Sequence, residues 1–399
     1  MNQRKIDIII AGGGLSGGLL ALAFAQARPD LTLLLIEQDE TLGGNHLWSF
    51  FASDIAPAHQ WLVEPLIVMR WDQGYTVRFP RFIRRLATPY RTITSERLDE
   101  VVRAALPAEA VRTGVKIASI EQQRVKLADG SVITAGGVID ARGAAGMPGM
   151  RGGWQKFAGQ MLRLAAPHNL AGPIVMDARV DQLDGYRFVY CLPFSATEIF
   201  VEDTYYSDDP VLDIAQLHDR IASYCQLNGW QVSAVLREEA GVLPVVAAGN
   251  FAGFWPDSAK SAARAGARAG LLHPMTSFSL PLAVRLAIDL ASLPEVTGAA
   301  LAAASYSHAS AHWRRGGFYR MLSTMLFGAA SPKRRYKLLE RFYRLSQGLI
   351  ERFYAGRSSW TDRARILIGR PPVRIVDALA SLSGGGRPLA VLDAPESRP

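Results

Sequence analysis

Three isoleucines, Ile8-Ile9-Ile10, open the first apolar run of the chain, and Leu31-Thr32-Leu33-Leu34-Leu35-Ile36 forms the second. Short apolar runs without alternation predict strands of a parallel sheet buried on both faces. Between them Leu15 to Ala27 is rich in Ala and Leu and predicts a helix, so the chain begins as a βαβ unit. A second helix is predicted from Ser95, its N-cap, through Leu106. Val111 to Thr134 alternates like a small hairpin around Asp129-Gly130, and Gly137-Val138-Ile139-Asp140 reads as another buried strand. Residues 51–90 are rich in aromatics and Arg and show no clear period. The region to about Ala240 is β-rich: Tyr186 to Leu192 and Glu198 to Tyr206 predict antiparallel strands joined across Pro193-Phe194-Ser195-Ala196-Thr197. From Pro281 to Leu293, and on to about Ala380, the chain reads as helical, and Ser383 to Pro399 as a frayed tail.

A length of 399 residues predicts two or three structural units, and 49% hydrophobic with 20% charged residues excludes disorder overall. Cys191 and Cys225 are too few for a disulfide framework or a cysteine-built metal cluster, which suits a reducing cytoplasm. Ile8 to Ala27 runs 20 residues without a charge, but Gly12, Gly13, Gly14, Gly17 and Gly18 divide it into strand, turn and helix, so no membrane span is expected there. Net charge is +8, and it is unevenly placed. Trp313 to Arg374 holds 15 Lys and Arg against Glu340, Glu351 and Asp362, a local +12. Arg314, Arg315, Lys333, Arg334, Arg335 and Lys337 alternate with Phe318, Tyr319, Met321, Leu322, Met325, Leu326 and Phe327. That pattern suits helices on an anionic membrane surface; packing of the same apolar residues into the core is the competing reading. No nucleic-acid motif accompanies the charge.

Gly12-x-Gly14-x-x-Gly17 follows a strand and opens a helix, and Glu37 lies 20 residues beyond its last glycine. In such a turn the first glycine permits the bend, the second admits a pyrophosphate to the backbone, the third allows helix–strand packing, and the acid takes the ribose hydroxyls. Gly14-Leu15-Ser16-Gly17-Gly18 also fits G-x-S-x-G, but a nucleophile elbow needs strands before it, and this serine follows the first strand. His308 and His312, one helical turn apart without a zincin-like carboxylate, do not make a metal site. The Gly43-Gly44 doublet resembles FAD-binding oxidoreductases more than NAD dehydrogenases. Arg97 resembles the arginine that flavoproteins place near the FAD pyrophosphate, and Val138 to Gly143, with Asp140, resembles the strand and turn that return to that cofactor.

In the strand Glu198 to Tyr206, alternation puts Phe200, Glu202, Thr204 and Tyr206 on one face and Val201, Asp203 and Tyr205 on the other. An acid beside Phe200 and Tyr206 would have a raised pKa, the mark of a general acid; a satisfied structural pair is the alternative. Several longer motifs then point one way: Gly44-Asn45-His46-Leu47-Trp48-Ser49-Phe50, Gly185 to Tyr190, Val201-Glu202-Asp203-Thr204, Arg237-Glu238-Glu239-Ala240-Gly241-Val242-Leu243-Pro244, Arg268 to Pro274, and Arg352-Phe353-Tyr354-Ala355-Gly356. Together they resemble the bacterial lycopene β-cyclase family, from the first strand to about Ala380.

The resemblance implies a redox-neutral cyclisation of lycopene to β-carotene through γ-carotene, dependent on noncovalent reduced FAD, with NAD(P)H as reductant and no metal. It places the acid on Glu202, with Asp203 assisting and Glu239 a further candidate for a proton step. Cofactor contacts are expected at Gly12, Gly14, Gly17, Glu37, Gly44, Arg97, Asp140 and Gly270. Two departures stand out: Arg268-Ala269-Gly270 lacks the acid that many FAD enzymes carry there, and Ser277 replaces a glycine expected after Thr276. The expected architecture is α/β: a discontinuous Rossmann-type FAD-binding domain (1–50, 91–150 and 241–295), a β-rich substrate domain (51–90 and 151–240), a helical membrane-facing region (296–380) and a flexible tail (381–399). A flavin-dependent carotenoid monooxygenase or dehydrogenase is the alternative enzyme, and a basic membrane-binding flavin scaffold the alternative without catalysis. A cytoplasmic protein held at the membrane periphery follows from the charge and the lipid-soluble substrate.

Overall fold

The structure, a computed structural model, describes residues 5–143, 146–183, 185–255, 261–368 and 374–392. A five-stranded sheet carries the βαβ unit, in the spatial order Ala263–Arg264, Gly137–Asp140, Ile8–Ala11, Leu33–Ile36, Val111–Arg112. All its pairings are parallel. Its central strands are buried on both faces, which is why they read as unbroken apolar runs. The Leu15–Ala27 helix is buried for most of its length and packs against the helix Leu280–Ala291, so it too is apolar nearly all round.

A second, larger sheet runs Val232–Gly249, Met150–Leu164, Glu198–Ser207, Tyr186–Pro193, Ile174–Asp177, Tyr75–Phe79, Phe82–Leu86. The two strands expected from alternation are paired antiparallel, Glu202 opposite Tyr190. A pair of three-stranded sheets completes the β structure. One is the hairpin region 117–134; the other joins Leu47–Phe51, Tyr90–Thr94 and Ile67–Trp71. Residues 51–90 thus form strands in which Phe51, Trp71, Tyr75, Phe79 and Tyr90 enter an aromatic core, and whose period was hidden because Val68 and Ile83 face outward while Arg84 takes an inward position.

Several boundaries move. Thr94, not Ser95, caps the Ser95–Ala105 helix: it ends a strand in extended conformation and its hydroxyl accepts the Arg97 N–H at 3.2 Å. The division expected at residue 240 falls inside one continuous 18-residue strand, Val232–Gly249. The tail is tied down through Leu392. Ala390–Val391 pairs with Arg151–Gly152, Leu392 is fully buried, and its backbone bonds Met147 and Met150. Residues 393–399 of the expected tail lie outside the described residues.

The helices of the C-terminal region cover the large sheet with aromatic side chains. Tyr319, Leu326, Phe327, Tyr343, Phe353 and Tyr354 are all buried in the same core as Tyr75 and Tyr186. Arg335 is fully buried as well, its guanidinium paired with Asp208 at 2.8 Å and lying over the Phe327 ring. These residues belong to the core rather than to a lipid-facing surface. Among the described residues, no helix is long and apolar enough to cross a membrane.

Candidate active site

The loop between the first strand and the first helix begins the site. Gly12 takes φ +100°, and a Cβ there would meet the Ala141 backbone at 2.7 Å. Gly17 lies under the Gly12 carbonyl, 1.8 Å from where its own Cβ would be, so it serves helix–strand packing and does not line the cleft. Gly14 caps the helix without a side chain and has open space beside it, leaving first-turn N–H groups free for an anion. Glu37 lines the same cleft and accepts the Gly13 and Gln38 N–H groups, each at 2.6 Å. The Gly43 N–H bonds the Gly13 carbonyl at 3.0 Å, which draws the doublet onto the loop and sets Gly44 in the cleft wall. A glycine cradle that a Cβ would fill, an uncapped helix N-terminus and an acid at the second strand fit an adenine dinucleotide.

Three more of the expected contacts, besides Gly17, are placed elsewhere. Arg97 turns outward, to Glu100 at 2.7 Å and the Pro65 carbonyl at 2.9 Å. Asp140 is tied to Arg142 and Arg268; it is Arg142 and Gly143 that line the cleft, so the acid orients an arginine instead of reaching a ligand. Gly270 ends the 3-10 turn Gly266–Ala269 away from the cleft, and Gly266 and Ala267 stand in its place. The missing glycine after Thr276 is explained by Ser277 itself. It adopts φ +57°, held by its hydroxyl on the Pro244 carbonyl at 2.8 Å and its N–H on the His273 carbonyl at 2.9 Å. Buried His273 is kept neutral, its pKa pushed down to about 3 by desolvation, and its Nδ1 accepts the Met275 and Thr276 N–H groups.

The cleft encloses about 820 Å³ and continues from the glycine loop into a pocket walled by Trp48, Tyr90, Phe157, Tyr190, Phe200 and Phe278. Two carboxyls face this pocket. Glu202 and Glu239 sit on strands either side of Met150–Leu164, and both stand opposite Gly159. Residues directly opposite in a sheet share a face, so Glu239, Gly159, Glu202 and Tyr190 form one row across four strands. Thr204 donates its hydroxyl to Glu202 Oε1 at 2.5 Å. Burial raises Glu202 from 4.5 to about 7, and raises Glu239 well above the usual carboxylate range.

Asp203 does not join them. It points to the opposite face, wholly buried, and receives Arg187 Nε at 2.8 Å and Nη2 at 2.5 Å. This is the satisfied structural pair, and it belongs to the neighbour of the acid that faces the pocket. Tyr206 is also displaced from the expected role: it packs in the aromatic core with its hydroxyl on the Met275 carbonyl at 3.1 Å. Tyr90, Tyr190 and Phe157 take over as pocket aromatics, and alternation alone did not separate them from core rings. His308 bonds Asp289 and His312 the Leu272 carbonyl, and no cluster able to hold a metal occurs among the described residues.

A parallel sheet carrying the glycine turn, joined to a broad and mostly antiparallel sheet with the cleft between them, is the fold of FAD-dependent oxidoreductases. Solved structures of that kind superpose on nearly the whole chain: a flavin-dependent brominase (TM-score 0.59, 13% identity, 91% of this chain and 97% of that one) and a geranylgeranyl bacteriochlorophyll reductase-like protein from Thermoplasma acidophilum (TM-score 0.57, 12% identity, 96% and 99%). Residues 7–380 match the lycopene cyclase protein family, and the chain belongs to it. It is similar to the lycopene beta-cyclases of Pseudescherichia vulneris, 45% identical over 93% of this chain and 96% of the relative, and of Pantoea ananas, 43% identical over 95% and 98%.

Proposed function

We propose that this chain is a lycopene β-cyclase that closes both ends of lycopene, through γ-carotene, to β-carotene. The observation that carries the reading is Glu202, a carboxyl of raised pKa in an aromatic pocket continuous with a dinucleotide cleft. An isolated alkene is a very weak base, so the proton donor must be neutral and dry. A glutamic acid of ordinary pKa is protonated in only about 0.2% of molecules at pH 7, whereas one near 7 is protonated in about half. Glu202 gives its proton to C2 of an end group, leaving a cation at C1. The C5–C6 double bond closes onto C1, forming the C1–C6 bond and moving the cation to C5; the C6 proton then leaves to a base, its C–H electrons re-forming the C5–C6 double bond, so one proton is taken up and one released per ring.

Trp48, Tyr90, Tyr190, Phe200 and Phe278 present ring faces to the cation and exclude water. Gly12, Gly14, Glu37 and Gly44 would hold noncovalent FAD, which when bound and reduced supplies negative charge to offset the cation. NAD(P)H is the reductant we assign to it. Because substrate and product are isomers, no reductant is consumed per ring. Lycopene dissolves in lipid, so we assign the enzyme to the cytoplasmic membrane surface as a peripheral protein.

FAD-loaded protein, reduced chemically without nicotinamide and given lycopene in vesicles, is expected to form β-carotene of unchanged mass. Glu202→Gln is expected to fold, hold FAD and form none. A product that gains oxygen or loses hydrogen would assign a monooxygenase or a dehydrogenase instead, and normal turnover by Glu202→Gln would remove Glu202 from the reaction.

A further inference from the structure

Glu239 is 3% exposed, yet its Oε2 receives no donor from the protein. A buried carboxyl oxygen without a partner is costly, most of all when charged, so its surroundings have to answer for it. They do so with a second carboxyl: Glu202 and Glu239 stand opposite the same residue on one face of the sheet, near enough for one to hydrogen-bond the other when a proton lies between them. Glycine at 159 permits that meeting. Two strands separated by a third lie about 9–10 Å apart, a span that two glutamate side chains close only if the middle residue sends nothing between them. The Phe200 ring packs over Gly159 and would lie 2.3 Å from a Cβ there, so any larger residue at 159 would collide with it.

Both carboxyls are acceptors when ionised, so contact between them requires a proton in between. The other groups around the pair sort the roles. Thr204 already donates to Glu202 Oε1, while Arg237, on Glu239's own strand, gives Nη2 to the His46 carbonyl and Ser95, pairs with Glu96, and acts on Glu239 through its charge, which pulls against the effect of burial. Asp203, behind Glu202, is occupied by Arg187, and Tyr90 and Tyr190 are neutral neighbours whose pKa values burial drives upward. Besides the Leu47 backbone and the Arg237 charge, the group that Glu239 meets is the Glu202 carboxyl.

Resting on the assignment of Glu202 as the acid, we propose that Glu239 is its positioning residue: as a neutral carboxyl it donates a hydrogen bond to Glu202 across Gly159 and holds the negative charge left there when the proton goes to the substrate. As the O–H bond of Glu202 breaks and the C2–H bond forms, the new carboxylate is left among aromatic walls. The Thr204 hydroxyl and the Glu239 carboxyl supply its two donors, and Glu239 keeps its own proton throughout. The acid is made stronger at the moment of transfer without being deprotonated beforehand.

The test combines Glu239→Gln, Glu239→Leu and Glu202→Gln, each as purified FAD-loaded protein with flavin content measured, with turnover followed across pH. The parent enzyme loses turnover as pH rises through about 7, where Glu202 loses its proton. Glu239→Leu removes the donor, so turnover is expected to fall by roughly 10²–10³, the scale of losing one donor to a developing oxyanion. Its pH limb is expected to move upward, because the charged form of Glu202 has lost its support. Glu239→Gln, whose amide still donates, is expected to restore turnover to within about tenfold of the parent and to return the limb toward 7. A purely structural role would lower flavin content and turnover together and leave the limb in place. Parent-like limbs in both Glu239 variants, or equal loss in Gln and Leu, would overturn the proposal while an inactive Glu202→Gln still upheld the acid; an active Glu202→Gln would overturn the acid itself.

Discussion

Glu202 and Asp203 are adjacent in the chain and meet opposite environments. The strand pleat turns one into the aromatic pocket and the other into the space beneath the sheet, where Arg187 meets it at 2.5 Å with both side chains at least nine-tenths buried. Alternation was enough to separate the two acids, since a period of two is a property of any strand. Which face held the pocket was not in the pattern; it came from the resemblance and then from the register with Gly159. The separation has a measurable consequence. Breaking a buried ion pair from one side leaves an unpaired charge, at a cost of about 3–5 kcal/mol. Asp203→Asn is therefore expected to lower the unfolding free energy by that amount in denaturant titration, while at low temperature the folded variant keeps its flavin and the parent pH profile of turnover. A variant as stable as the parent, or one with a displaced pH limb, would mean that Asp203 acts in the pocket after all.

Elements with a simple environment were the ones alternation and apolar runs could identify. The strands Ile8–Ala11, Leu33–Ile36 and Gly137–Asp140 are buried on both faces, and Glu198–Ser207 has two faces of different character. Strands 67–71, 75–79 and 82–86 escaped because apolar Val68 and Ile83 face outward while Arg84 takes an inward position, and neighbouring turns of only a few residues blur the period further. The glycines were legible as a cradle, yet Gly270 and Arg97 were misplaced because cofactor motifs specify spacing along the chain, not which turn reaches the cleft. The C-terminal strand was hidden for a different reason. Ala390–Val391 is two residues long and follows a glycine-rich stretch, so only its docking reveals it. Leu392, at 0% exposure among Met147, Met150 and their neighbours, anchors that docking. Leu392→Ala is expected to lower stability by about 2–3 kcal/mol, the lower part of the range for a buried leucine. An unchanged melting temperature would show that the strand contributes nothing to the fold.

At the scale of the whole molecule, the +12 region has to be divided before it can be assigned to lipid. Arg335 is buried on Asp208, and Tyr319, Leu326 and Phe327 fill the aromatic core, so this part of the segment holds the helices onto the large sheet. What remains at the surface is a different set: Arg314, Arg315, Lys333, Arg334 and Lys337 as cations, with Trp360 80%, Ile368 63%, Val376 67% and Leu379 61% exposed. These elements are neighbours. The Ile375–Leu382 helix packs on Gly317–Gly328, Arg363 lies over the Phe318 ring, and Arg341 bonds the Ile368 carbonyl. Exposed large apolar side chains on elements that pack with a basic segment are what an anionic interface accommodates, the rings and aliphatic groups entering the headgroup region while the charges add roughly 1 kcal/mol each. Flotation with vesicles is expected to recover the protein with anionic lipid, less as salt is raised, and little with neutral lipid. Neutralising Lys333, Arg334 and Lys337 together is expected to weaken the salt-sensitive part, and Trp360→Ser with Val376→Ser the salt-resistant part, with turnover on a detergent-dispersed substrate unaffected in both cases. Equal failure of the parent to bind either lipid would leave the exposed residues without a membrane role, and the polyene would then have to reach the pocket from a carrier.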